Sequence, residues 1–211
     1  MPGMPAPRPP EHLQPPPTLQ DRLSGGDPRT LGNVDEVVDT ILTEPRRLDE
    51  LIGAVLDCDD EIVRMRAGDA LEKVCRAQSS LLQPHVSLLL GEMAGIDQPS
   101  VQWHVAQMLG QVRLTAAQRS RAVRLMNKNL DESTDWIVLN CSLDTLAGLA
   151  RQDPTLAEDL RRALRRHEHS DLKSLANRAR KLRLEFGPDD PTPAGPAGQP
   201  RKDGSDGQQA R

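Results

Sequence analysis

Between Val63 and Val74 the apolar residues are Val63, Ala67, Ala70, Leu71 and Val74. Steps of four, three, one and three put them on one face of a helix. Asp59 and Asp60 stand just before it, where a carboxylate accepts free amide hydrogens and meets the positive end of the helix dipole. The pattern returns at Val101, Val105, Met108, Leu109 and Val112, behind Asp97 and Pro99. It returns again at Val138, Ser142, Thr145, Leu146 and Leu149, behind Ser133, Thr134 and Asp135. A looser copy holds Leu172, Leu175, Ala176, Ala179 and Leu182. The segments between supply a partner helix for each copy: 45–56, 79–93, 115–130 and 154–167. Pro45 and Pro154 suit first turns, and Pro84 bends or starts its helix. Residues 34–42 form a further helix that caps the row.

A period in the high thirties predicts stacked helix pairs. The motif Val63-Arg64, Ala67, Ala70-Leu71 after an acidic turn resembles the second helix of a HEAT repeat, of the armadillo type. The resemblance spans about 34–186. It implies an all-α, right-handed α-solenoid of about four HEAT-like helix pairs, whose second helices line a concave surface. It also implies that Arg64 bridges repeats through an acidic turn such as that of Asp97. Gln102 and Leu139 stand where the motif has Arg64, so that ladder is not expected to continue. The repeat domain is placed at 33–187. Residues 1–32 are proline-rich and 188–211 are rich in proline and glycine; both are expected to be disordered, since neither can bury enough apolar surface to offset its ordering entropy.

Composition narrows the chemistry. Trp103, Trp136 and Phe186 are the only aromatic residues, so the core is aliphatic. Cys58, Cys75 and Cys141 lack metal-type spacing and read as buried thiols of a cytoplasmic protein. His167 and His169 share one turn without an evident third ligand. No metal or cofactor is expected. The first residues lack a basic start and an apolar core, so no secretory leader is expected. No run of eighteen apolar residues exists to span a membrane. Acids dominate 31–110 and bases dominate 111–187, so the two ends of an elongated molecule would differ in charge.

On the first repeating helix Arg66, Asp69 and Lys73 form a polar stripe beside the apolar face. Equivalent positions hold His104, Gln107 and Gln111, then Cys141, Asp144 and Gly148, with Asn140 adjoining. Stacking would floor a groove with Arg66, Asp69, His104, Gln107, Asn140 and Asp144, flanked by Trp103 and Trp136. Trp and Arg in a groove are favoured anchors for a protein partner. No nucleophile or acid–base pair is fixed by spacing, so a non-enzymatic adaptor binding a protein segment is expected. The proline-rich amino-terminal stretch would add at most a weak second contact. The alternative is a nucleic-acid surface built from Arg161, Arg162, Arg165, Arg166, Lys173, Arg178, Arg180 and Lys181. Against it stands the shortage of aromatic rings for base stacking.

Overall fold

The computed structural model describes residues 17–27 and 29–187. Of the tails expected at 1–32 and 188–211, residues 1–16 and all of 188–211 lie outside the described residues. The described chain is helical, without a strand among its described residues. The α-helices are α1 (Leu19–Leu23), α2 (Val34–Thr43), α3 (Leu48–Leu56), α4 (Glu61–Ala77) and α5 (Val86–Leu89). They continue as α6 (Pro99–Gln111), α7 (Ala116–Glu132), α8 (Trp136–Gln152), α9 (Ala157–His167) and α10 (Lys173–Phe186).

The helix starts follow local chemistry. Asp60 accepts the amide hydrogens of Ile62 and Val63, and Asp135 those of Ile137 and Val138. Thr115 and Gln118 cap α7 reciprocally. Helix α6 begins instead on Pro99, whose missing N–H costs nothing in a first turn. Asp97 does not cap it. The segment expected to be a single helix at 79–93 is broken into two 3-10 turns and the one-turn α5. Pro84 has no N–H to donate, and its ring opposes a continuous helix. Gln83 fastens this broken segment across to the main chain of Arg113, donating to its carbonyl at 2.8 Å and accepting its N–H at 3.0 Å.

Helices α4, α6, α8 and α10 pack each against the next, and α2 packs on α4. Helices α3, α7 and α9 back onto α4, α8 and α10. One aliphatic core runs through the stack, with Ile41, Leu51, Leu71, Met108, Met126, Leu146 and Leu160 fully enclosed. Each such side chain contributes roughly 1.5–3 kcal/mol by leaving water. No helix among the described residues is long and apolar enough to cross a membrane.

The amino-terminal boundary differs from expectation. Residues expected within a tail reaching to 32 are part of the folded body from position 17. Helix α1 has a capping box between Thr18 and Asp21 and buries Leu19 and Leu23 completely. The N–H of Leu19 donates to Glu50 Oε1 at 2.6 Å, and Arg22 donates to Thr40 Oγ1 at 2.9 Å. Helix α2 therefore does not cap the row alone: α1 packs on α2, α3 and α4.

Candidate functional site

Arg66 was expected on the groove floor, and the structure corrects this. Its residue is 1% exposed. Nε donates to the Thr30 carbonyl, Nη1 to those of Leu23 and Gly25, and Nη2 to that of Asp27, at 2.6–3.1 Å. Four of its five N–H groups are thus committed to the loop between α1 and α2. Gly32, at φ +55°, passes so close that a Cβ there would sit 3.2 Å from the guanidinium carbon. Arg66 holds the fold together and offers nothing to a partner. Arg64 does bridge forward, but to Gln98 Oε1 at 2.7 Å and not to Asp97, while its Nη1 closes on the Cys58 carbonyl.

His104 also leaves the open surface. It is 6% exposed, with Nε2 4.0 Å from Asp69 Oδ1. Burial holds its pKa below the ordinary histidine range. Asp69 and Asp35 both pair with Lys73, at 3.1 and 2.8 Å. Trp103 is half-buried and tilts against the His104 ring at 5.5 Å. Asp69, His104 and Gln107 therefore belong largely to the packing between α4 and α6.

Farther along, α4, α6 and α8 frame a hollow of about 350 Å3. Glu72, Arg76, Gln107, Gln111, Cys141, Asp144 and Thr145 line it, with Gly110 and Gly148 leaving space. The Glu72 side chain is 8% exposed; Oε1 accepts from Gln111 Nε2 at 2.8 Å and Oε2 lies 3.5 Å from Arg76. Burial pushes the Asp144 carboxyl above its usual range, against the pull of Arg178, Arg151 and Lys181. Burial likewise pushes the Cys141 thiol up to about 11, so it stays protonated and unreactive at neutral pH.

Between α8 and α10 lies an open groove of about 410 Å3, lined by Trp136, Asn140, Ser174, Asn177, Arg178 and Lys181. Trp136 is 54% exposed because it occupies the first residue of α8, beyond the last covering turn. Asn140 bonds back to the Trp136 carbonyl at 2.7 Å and across to Ser174 Oγ at 3.3 Å. Arg178 pairs with Asp144 at 3.3 Å. So the structure joins two sets that sequence kept apart: Trp136, Asn140 and Asp144 on one side, Arg178 and Lys181 on the other. Ser174, Asn177, Glu72 and Arg76 were missed. Their spacing is unremarkable, and only the sideways fit of neighbouring helices brings them in.

The α9 arginines meet acids. Arg161 and Arg165 reach Glu158, Arg162 faces Asp159, and Arg166 pairs with Asp131. Among the described residues no carboxylate pairs with Lys173, Arg180 or Lys181; Arg180 donates to Asn177 Oδ1. His167 is half-buried and His169 stands beside Glu168 at 3.4 Å. Among the described residues no three ligating side chains come together to hold a metal ion. The chain matches no family model, no curated protein and no solved structure.

Proposed function

We propose that this chain is a non-enzymatic interaction module, a short HEAT-like solenoid that binds an extended segment of another protein across α8 and α10. The solenoid reading is supported by a recurring sequence offset in its tertiary hydrogen bonds. Lys73 to Asp35 spans 38 residues, Gln111 to Glu72 and Thr145 to Ala106 each span 39, and Asn140 to Ser174 and Arg151 to Glu185 each span 34. Offsets of 34 to 39 residues are what a row of stacked hairpins produces.

One observation carries the binding reading. Trp136, one of the chain's two tryptophans, stands half in solvent on a groove edged by Asn140, Arg178 and Lys181. An indole beside exposed polar donors suits an anchor for an apolar side chain and a neighbouring carboxylate. The nucleic-acid alternative draws on Lys173, Arg180 and Lys181. It is weakened by the carboxylates facing Arg161, Arg162, Arg165 and Arg166.

The test is selection of binders by the full-length chain from a random peptide display library. Selected peptides are then measured by fluorescence anisotropy. Trp136→Ala and Lys181→Ala are expected to weaken them about tenfold or more, the scale of a central anchor. Peptides indifferent to both substitutions would remove the groove from consideration. Salt-sensitive binding of single-stranded nucleic acid, lost on replacing Lys173, Arg180 and Lys181, would move the function to the other class.

A further inference from the structure

Helix α10 stops at Gly187, at φ +77° and ψ 171°, a backbone that glycine adopts without strain. The chain leaves the helix axis there, and the sequence continues as Pro188-Asp189-Asp190-Pro191-Thr192-Pro193-Ala194-Gly195-Pro196. The face of α10 just before that exit lacks partners. Ser174, Asn177, Lys181 and Leu184 follow at steps of three and four, so they line one face. Leu184 is 88% exposed, more than any other large apolar side chain among the described residues. No carboxylate among the described residues pairs with Lys181 or Arg180; Arg180 donates to Asn177 Oδ1 at 2.6 Å. Trp136 stands across the groove from this face. Its chemistry suits acids near the end of α10 and apolar rings beside the indole.

The register fits as well. Ser174 and Gly187 are thirteen residues apart, roughly 20 Å along the axis. A proline-rich chain in its preferred extended form rises about 3.1 Å per residue, so about six or seven residues run the same length backward. On that count Asp189 and Asp190 come within reach of Lys181 and Arg180, and the stretch from Pro193 to Pro196 comes opposite Trp136. Proline-rich segments dock on exposed aromatic side chains at little ordering cost, because their shape is preset.

We infer that residues 188–196 of this chain fold back along α10 and cover the Trp136 groove, so that a partner segment must displace them. The inference rests on the binding reading above and adds its regulation: the chain's own acids and prolines compete with the partner's carboxylate and apolar side chain. Each exposed ion pair is weak alone, but tethering holds the segment at an effective concentration on the order of 1 mM. A contact of about 0.1 mM intrinsic affinity then covers the groove about nine-tenths of the time and weakens a competitor about tenfold.

The test uses the full chain with 5-fluorotryptophan at both tryptophans, read by fluorine NMR; the Trp136 signal is the one lost in Trp136→Phe. Reversing two charges, Asp189→Lys with Asp190→Lys, should move that signal toward free 5-fluorotryptophan and raise its H2O-to-D2O shift, while the Trp103 signal stays in place. High salt should move the parent signal the same way. Display-selected peptides that depend on Trp136 should bind the reversed chain about tenfold more tightly than the parent. A Trp136 signal identical in both chains would overturn the inference and leave the groove reading standing. Equal binding of those peptides to both chains would overturn it too, since the segment would then not compete. A signal change that grows with protein concentration would put the segment of a second copy in the groove and sink the assignment within one chain. Peptides indifferent to Trp136 count against the groove reading instead, and the fluorine signal still decides whether 188–196 lies there.

Discussion

The two ends of the helix row use arginine in opposite ways. On α4 Arg66 is sealed inside, and four carbonyls of one loop hold its donors. On α10 Arg178 has a side chain 42% exposed, a single long contact to Asp144, and an open indole close by. The Arg66 contacts are buried and to main chain. Those of Arg178, and of Arg151 with Glu185 at 2.6 Å, are exposed and between side chains. Burial turns the same guanidinium from a surface that can be read into a structural pin. Water screening leaves the other end free to exchange its partners.

The largest effect expected from breaking this contrast is at Arg66. Arg66→Ala leaves four carbonyls without donors and should cost about 3–5 kcal/mol in urea unfolding. Limited proteolysis should then cut between 17 and 32. Arg66→Lys should restore only part of the loss, because an ammonium cannot span carbonyls spread around a planar fork.

A smaller effect follows from pH. His104 has its pKa lowered by burial first, with Asp69 and Glu72 opposing, and His167 is lowered by burial and by Arg166. Both are neutral in the folded state at neutral pH. The unfolded chain takes up the proton first, at about pH 6.5. The stability that these groups contribute is complete above that value and is lost as pH falls below it. Unfolding measured at steps from pH 7 to pH 5 should show this decline, and His104→Asn should flatten it.

Smaller still is the effect of opening the exposed pair. Arg151→Ala should move the urea midpoint little, and what movement there is should vanish in high salt. Smallest is Trp136→Ala on stability. With over half of the residue in water, the midpoint should hardly shift. A large shift there would make the indole a packing residue and undo the contrast.

What the sequence disclosed depended on length of pattern. Helices α4 and α8 are each seventeen residues, long enough for an apolar face to repeat several times, and aspartates mark their starts. Helix α1 has five residues and two leucines, too few to show a period. Its signal was of another kind: Thr18 three residues before Asp21, then Gly25, Gly26 and Gly32, all at positive φ. Arg66 was misplaced for a related reason. Spacing put it beside Asp69 and Lys73 on a polar stripe, but its acceptors lie 36–43 residues upstream. Trp136 and Asp144 could be put on one helix from sequence because α8 is strongly periodic. Their neighbours Arg178 and Lys181 were assigned to a different surface, since nothing in a single chain's spacing states which helices lie side by side.

The bonds from Arg66 end on peptide carbonyls at 23, 25, 27 and 30, not on any side chain of that loop. Such a grip is blind to what the loop spells. Exposed positions such as Ser24 and Arg29 can therefore be rewritten, with epitopes or reporters for example, provided the path of the main chain is kept and Gly32 is left alone.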